Sequence, residues 1–340
     1  MKKSLTGLER SWKKDLREVM QGLFTTLLLF YLFTAQLYSE DALQSRTRSL
    51  MGTFVTLTLA EKNNTEISKA FDLVQKIEDS LSTYNPEATL AKLNKTHSVP
   101  FDNYLAEAIT LSKTYHKETN GYFDISIGSI SKKLYHFGEE KTYSPSQKEL
   151  KNAKLNINGI HIDKQTIKSD EGIVLDLGGM GKGYAVDKVA GYLDEQNITK
   201  GTIALSGDIQ CLDRCEIYLQ SPFEEDTFAR IQAKIPHLSI STSGTYRRYA
   251  TKKEEHHLIN PKTATQGRAF VSVSLFTTAD NAKIDAYATA VSVMPREEAL
   301  AFLEKHNEIG FVLVEPDGNI EFGNLKKFLD IEWGKPLQGR

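Results

Sequence analysis

Asp285 and Thr289 stand four residues apart in the segment ADNAKIDAYAT, residues 279–289. On a helix that spacing puts a carboxylate and a hydroxyl on one face. Both are hard oxygen donors of the kind Mg²⁺ prefers. Mg²⁺ takes few protein oxygens and completes its shell with water and phosphate. A plain solvated helix face would carry the same pair. A second candidate is VLDLGGMGKGYAVD, residues 174–187. An apolar run enters Gly178, Gly179, Gly181 and Gly183, and a helix follows. Backbone N–H groups at such a place form an anion or phosphate site, and Lys182 adds a cation. The spacing is neither G-x-x-x-x-G-K-[ST] nor G-x-G-x-x-G, and a tight packing turn would use the same glycines. A third candidate is His256-His257, which precedes Leu258, Ile259, Asn260 and Pro261. A histidine there serves either as a core residue or as a general base titrating near neutrality. The residues alone leave both readings open. The other histidines show no metal-ligand spacing.

These groups need a body to position them. The chain has 340 residues, 40% hydrophobic and 9% aromatic, enough for a real core and too many for a disordered chain. Its length fits two domains or one large one. The net charge of −2 argues against a nucleic-acid binder. Two cysteines exclude a disulfide scaffold and any Cys-rich metal site. Alternation predicts a strand over 54–59. Asn64-Thr65 is expected to cap a helix carrying Ile67, Phe71, Val74, Ile77 and Leu81 on one face. A second helix is expected over 103–118, stopped by Asn120-Gly121. Residues 139–154 read as a surface helix and loops. Strands are predicted near 160–167 and 173–177, then a helix from Gly181 through Ala185, Val189 and Leu193. Further strands are predicted near 203–205, 216–220, 229–235, 238–241 and 270–276. Helices over 281–293 and 296–306 precede a hairpin at 311–322, turned by Asp317-Gly318-Asn319. No internal repeat and no long linker interrupts this order. The pattern is α+β, a mixed α/β body in one large two-lobed domain over 46–340.

Residues 1–45 read as a targeting segment. Lys2, Lys3, Arg10, Lys13, Lys14 and Arg17 precede an uncharged stretch from Val19 to Ser39. A basic start followed by an apolar run is the pattern of an export signal. At about 20 residues the run would also just span a bilayer as a helix. No neat cleavage site follows, so a cleaved signal and a retained single-pass anchor both fit. The body is therefore expected outside the cytoplasm, in a bacterial periplasm, soluble or tethered to the inner membrane.

Several blocks, taken together and in order, resemble one family. They are Met51-Gly52-Thr53, LSTYNPEATLAKLN at 81–94, GYFDISIG at 121–128 and LDLGGMGKGYAVD at 175–187. SGDI at 206–209, STSGTYRRY at 241–249, HLINPKT at 257–263 and IDAYAT at 284–289 complete the series. The chain resembles the ApbE-type FAD:protein FMN transferases over about residues 49–293. The resemblance implies an ApbE-type domain related to the T-fold. It implies a Mg²⁺-dependent transfer of FMN from FAD, its substrate, to a Thr hydroxyl of an acceptor flavoprotein, with AMP released. The implied acceptors are exported or membrane-bound proteins with a Ser-Gly-Ala/Ser-Thr motif; no nucleic acid is involved.

By matching motif, Met51, Tyr84, Tyr122, Phe123, Asp124, Asp176, Lys182 and Ile259 would line the nucleotide site. Gly179 would lend a backbone carbonyl to the metal, with Asp285 and Thr289 as side-chain ligands. His257 would stand near the transferred phosphoryl as base, with Lys182 holding the phosphates. The chain departs from the family pattern at several places. Asn260 replaces a usual Asp and removes a negative charge beside His257. Ala264 and Ser206 stand where Gly is usual, Gly181 where Ala is usual, and Ala88-Thr89 where Ser-Glu is usual. If the chain is exported, Cys211 and Cys215 could bridge across a short hairpin; two free thiols or an intermolecular pairing is the alternative. Two other functions use similar residues: an FAD pyrophosphatase giving FMN and AMP, and a non-enzymatic periplasmic FAD-binding protein.

Overall fold

The computed structural model describes residues 20–28 and 42–339. The basic start and most of the uncharged stretch, on which the export reading rests, lie outside the described residues. Residues 20–28 form a helix, α1, with Met20, Leu23, Phe24 and Leu27 exposed. No helix among the described residues is long and apolar enough to cross a membrane.

The body opens with the hairpin β1 (Leu43–Leu50) and β2 (Thr53–Ala60), then α2 (Asn64–Leu81), α3 (Thr89–Thr96), β3 (Ser98–Pro100) and α4 (Asn103–Glu118). Next come α5 (Gly128–Ser131), α6 (Gln147–Asn152), β4 (Ile160–Ile162), β5 (Thr166–Ser169) and α7 (Gly181–Glu195). The strands β6 (Thr202–Leu205), β7 (Asp208–Cys211), β8 (Glu216–Gln220), β9 (Thr227–Ala233) and β10 (Leu238–Gly244) follow. The chain ends with β11 (Ile259–Asn260), β12 (Thr265–Gln266), β13 (Ser272–Thr277), α8 (Asn281–Val291), α9 (Arg296–Lys305), β14 (Gly310–Val314), β15 (Ile320–Gly323) and β16 (Leu329–Trp333).

Eight strands form one sheet in the order β1-β2-β6-β7-β10-β13-β14-β15, and every neighbouring pair is antiparallel. Alternation along the strands sends Val55, Leu57, Leu59, Ile203, Leu205, Val273, Leu275 and Leu313 to one face. There they form one core with Ile67, Phe71, Val74 and Ile77 of α2 and Val186, Val189 and Leu193 of α7. Truncating one such side chain, as in Leu57→Ala, costs about 2–5 kcal/mol. On the opposite face, Ile240, Phe276, Val312 and Val314 pack against Phe228, Ile231 and Leu329 of a three-stranded sheet, β16-β9-β8. The α8 helix is buried on all sides, with Ala282, Ala286, Ala288 and Ala290 giving it a narrow profile.

The amphipathic faces of α2 and α4 lie where the spacing put them. Asn120 and Gly121, at φ 51° and 78°, end α4 as expected. Other expectations failed for identifiable reasons. Asn64 does not cap α2: a 3₁₀ turn over Glu61–Asn63 leads in, and the Asn64 side chain instead bonds Gln44. β1 was not foreseen, because LQSRTRSL is a polar edge strand that is exposed along most of its length. Residues 173–177 are extended but join no ladder. Val174 N–H donates to Ser129 Oγ, Leu175 exchanges bonds with the Asn94 side chain, and Asp176 N–H donates to Ile125 O. Residue 45, the expected end of the targeting segment, falls inside β1. Cys211 and Cys215 are bridged, with Cα atoms 5.8 Å apart.

Candidate active site

Two turns and a strand end meet at one end of the large sheet. The first joins β1 to β2 through only Met51 and Gly52, whose φ values of 52° and 68° suit the primed turns that match strand twist. The second, Ser206-Gly207, joins β6 to β7, with Ser206 at φ 58°. The strand end is that of β10. Beneath them lie the start of α7 and one side of α8. The resulting cleft encloses about 510 Å³. Each site residue singled out from the sequence lines it: Met51, Tyr84, Tyr122, Phe123, Asp124, Asp176, Gly179, Lys182, His257, Ile259, Asp285 and Thr289.

α7 and α8 are pressed together because Gly183 has no side chain. A Cβ there would lie 2.5 Å from the Asn281 carbonyl oxygen. The local residue Asp280 does not cap α8. Asp187, reaching across from α7, accepts the N–H groups of Asn281 at 2.7 Å and Ala282 at 2.8 Å. A carboxylate is favoured at a helix start, and burial pushes the Asp187 pKa up to about 7. In return, Asp285 on α8 accepts the Gly183 N–H at 3.1 Å.

This packing assembles an oxygen-rich cluster. Thr289 Oγ1 donates to the Gly179 carbonyl at 3.3 Å. Lys182 Nζ lies 3.3 Å from Asp285 and 2.6 Å from Asp208, and Ser241 Oγ donates to Asp208 at 2.6 Å. Burial, then the Asp208 charge, push Asp285 up to about 7. Burial works against the Lys182 charge, but Asp208 and Asp285 outweigh it and raise its pKa above the usual lysine value. Two buried carboxylates thus face one ammonium. That surplus of negative charge, beside the Thr289 hydroxyl and Gly179 carbonyl, fits a hard divalent cation such as Mg²⁺. No group of three or more His, Cys, Asp or Glu side chains able to hold a metal forms among the described residues. A cation here would draw on one or two carboxylates, neutral oxygens and substrate phosphates.

A second cluster surrounds Asp176. Its carboxylate accepts Ser131 Oγ at 2.7 Å and Gly178 N–H at 3.0 Å, and Lys132 Nζ lies 3.7 Å away. Burial opposes its charge, but Lys132, Ser131, Gly178 and Arg248 prevail and hold its pKa below the usual carboxylate range. Lys132 Nζ also donates to Tyr84 Oη at 2.6 Å. Tyr84 is 47% exposed on the cleft lining, with Lys132 Nζ also 4.0 Å from its ring centroid. Tyr122 and Phe123 are buried, and Tyr122 donates to Glu298 at 2.7 Å. The Asp124 carboxylate is occupied locally, accepting Ser126 N–H at 2.7 Å and Ser126 Oγ at 2.6 Å. Ile259 packs in a small core with Ile130, Tyr135 and Phe137.

The two adjacent histidines part company. His256 is buried and bonds the Gly267 carbonyl through Nε2 at 2.9 Å, as a core histidine would. His257 faces the cleft, with Nδ1 3.2 Å from the Arg248 carbonyl. A carbonyl only accepts, so Nδ1 carries the proton and Nε2 keeps its lone pair. Burial lowers the His257 pKa to about 4, with the Arg248 charge adding to the effect. Asn260 is fully employed: its amide donates to Val293 O at 3.0 Å and its carbonyl accepts Lys262 N–H at 2.9 Å. A carboxylate could not make the first of these bonds.

Asp208, Lys132, Arg248 and Asp187 were not picked out as site residues from the sequence. Asp208, Asp187 and Arg248 sit inside the family-like blocks, but their partners lie on other parts of the chain. Lys132, in a Lys-Lys pair, carried no signal.

A family model described as the ApbE family matches residues 51–313. A Klebsiella pneumoniae protein named FAD:protein FMN transferase is 26% identical over 294 residues, covering 83% of this chain and 92% of that protein. A Vibrio cholerae protein of the same name is 29% identical over 275 residues, covering 74% and 79%. Among solved structures, the flavin transferase ApbE from Vibrio cholerae superposes with a TM-score of 0.72 at 23% identity, covering 85% of this chain and 99% of that one. The apo flavinyl transferase ApbE of Pseudomonas stutzeri gives 0.72 at 18% identity, covering 84% and 96%. At these identities the superpositions speak for a shared fold. The family match spans most of the described body and every block that meets in the cleft, and the chain belongs to the ApbE family.

Proposed function

We propose that this protein transfers FMN from FAD to a Thr hydroxyl of an acceptor protein and releases AMP. The observation that carries the reading is one cleft holding both the Lys182–Asp285–Thr289–Gly179 cluster and a neutral His257. The names of the relatives support the same activity.

In the proposed reaction the acceptor oxygen attacks the phosphorus of the FMN half. A new P–O bond forms, the pyrophosphate P–O bond breaks, and AMP leaves with the bond electrons. His257 Nε2 takes the hydroxyl proton, and the Arg248 carbonyl fixes the ring through Nδ1. Asp285, Thr289 and the Gly179 carbonyl would hold Mg²⁺. When bound, the ion supplies charge neutralisation to the pyrophosphate. Lys182 and the start of α7 orient the phosphates, and Tyr84 stacks on the flavin ring. Met51, Tyr122, Phe123, Asp124, Asp176 and Ile259 complete the nucleotide wall.

The test mixes the protein with FAD, Mg²⁺ and a candidate acceptor domain carrying a Ser-Gly-Ala/Ser-Thr motif. In-gel flavin fluorescence on the acceptor is the expected result. AMP release without a fluorescent acceptor would instead indicate a pyrophosphatase, and intact FAD a carrier.

An exported setting, periplasmic and either soluble or tethered to the inner membrane, suits the basic start and the uncharged 19–39 stretch. Fusing residues 1–45 to a reporter active only outside the cytoplasm tests this. A silent reporter at normal expression counts against export.

A further inference from the structure

The β10 strand runs past its neighbour. On the β7 side its register spans Leu238↔Cys211 to Ser241↔Asp208, and Thr242 N–H still donates to Gly207 O at 3.0 Å. There β7 ends and the chain turns away through Ser206-Gly207 into β6. On the other side β10 stays paired with β13 as far as Gly244↔Ser272. In an antiparallel ladder, alternate residues direct N–H and C=O to the same edge. Thr242 faces β7, so the N–H and C=O of Gly244 face the same way, where no strand lies alongside. The result is an open β-edge inside a sheet, and Thr242, Ser243 and Gly244 all line the cleft.

This edge opens beside the proposed chemistry. Ser241 Oγ is 2.6 Å from Asp208, Asp208 is 2.6 Å from Lys182, and Lys182 is 3.3 Å from Asp285. Phe54 shares the cleft with this edge, and Tyr246 adjoins Gly244. Phe54, on the cleft rim, is 71% exposed, and its carbonyl accepts the Ser206 N–H at 3.2 Å. The Tyr246 ring lies against Gly244, where a Cβ would come within 2.4 Å of it. The N–H and C=O of one strand residue on an open edge, with exposed aromatic surface on the same cleft, complement an extended polypeptide. A phosphate would need donors only.

We propose that the open edge of β10 at Gly244, with Phe54 on the same cleft, docks an extended segment of the acceptor protein by strand addition. Main-chain bonds to Gly244 set its register, and Phe54 receives an apolar side chain. The segment lies along the cleft with its hydroxyl beside the Lys182–Asp285 cluster. The inference rests on the transferase reading.

The test compares Gly244→Pro with Gly244→Ala. Both place a Cβ against Tyr246, but only proline removes the N–H. Gly244→Pro should raise the acceptor KM about tenfold over Gly244→Ala, the effect of one lost main-chain bond. Phe54→Ser should raise it several-fold. FAD affinity, read by flavin fluorescence, should match wild type in all three. Equal acceptor KM for the two Gly244 variants overturns the proposal, and so does a parallel loss of FAD affinity, which would assign the edge to the nucleotide. Should thermal melting show both Gly244 variants unfolded, Phe54→Ser decides alone, and an unchanged acceptor KM overturns the docking surface. Failure of wild type to label any acceptor would strike the transferase reading instead.

Discussion

The Asp285 carboxylate accepts the backbone N–H of Gly183 at 3.1 Å. A residue of α8 thereby holds the first turn of α7, while Asp187 of α7 holds the first turn of α8. The helices exchange carboxylates, and the close approach at Gly183 lets them. Lys182, one residue before Gly183, and Thr289, one turn after Asp285, take their places from that exchange.

If Asp285 and Thr289 hold Mg²⁺, their losses should differ. Asp285→Ala removes a charged ligand and should nearly abolish transfer. Thr289→Ala removes a neutral oxygen that water can replace, so extra Mg²⁺ should partly restore it. Turnover against Mg²⁺ concentration for wild type and both variants measures this. A wild-type Mg²⁺ curve in both variants would show that neither residue touches the metal.

Asp187 lines no part of the cleft and acts through α8. Asp187→Ala should lower stability by about 0.5–2 kcal/mol, the ordinary cost of a lost cap. It should also weaken the apparent Mg²⁺ affinity, because Asp285 rides on the same helix. Denaturant melting and a Mg²⁺ titration check the two parts. Lost stability with unchanged Mg²⁺ dependence would reduce Asp187 to a purely structural cap.

His257→Ala should cut turnover by about 10²-fold or more while leaving FAD affinity near wild type. An ordinary histidine would be half protonated near pH 6.5. With its pKa lowered to about 4, His257 stays neutral between those values. At saturating Mg²⁺, the acid limb of kcat/KM set by this group should therefore fall below pH 6. The same shift bears on stability. A depressed folded-state pKa gives stability that is present above pH 6.5 and lost as pH falls toward 4, so His257→Ala should melt with a flatter pH dependence in that window. Equal losses of FAD affinity and turnover would make His257 structural.

Asn260→Asp would introduce the Asp that the family resemblance led one to expect, yet here it should destabilise. The substitution removes the donor to Val293 O and sets a carboxylate against that carbonyl, at a cost of about 1–3 kcal/mol. Thermal melting reads the result. A variant as stable as wild type, with a shifted rate–pH profile, would show that the missing charge matters more than the amide bond.

The sequence disclosed those parts of the site that depend on near neighbours. The i, i+4 spacing of Asp285 and Thr289 survives intact because α8 is regular to Val291. The face of α2 was readable from Ile67 to Leu81 for the same reason. Residues 173–177 misled because an extended apolar run looks alike whether a strand or the side chains of Asn94 and Ser129 satisfy its backbone. β1 hid because its residues are polar and mostly exposed. Asp187 and Asp208 were opaque as actors because their partners lie on other elements: Asn281 and Ala282 for one, Lys182 and Ser241 for the other. The residue types of the His256-His257 pair left core and catalytic readings open; only the family resemblance singled out His257, and its place on the cleft, with His256 bonded to the Gly267 carbonyl, needed the fold.

A mass balance separates transfer from hydrolysis. The protein is incubated with FAD, Mg²⁺ and an acceptor domain. AMP is quantified, and the acceptor is mapped by mass spectrometry. One AMP is expected for each FMN found on a single acceptor Thr, and no FMN on the Thr→Ala acceptor. AMP formed with free FMN and an unmodified acceptor would contradict transfer.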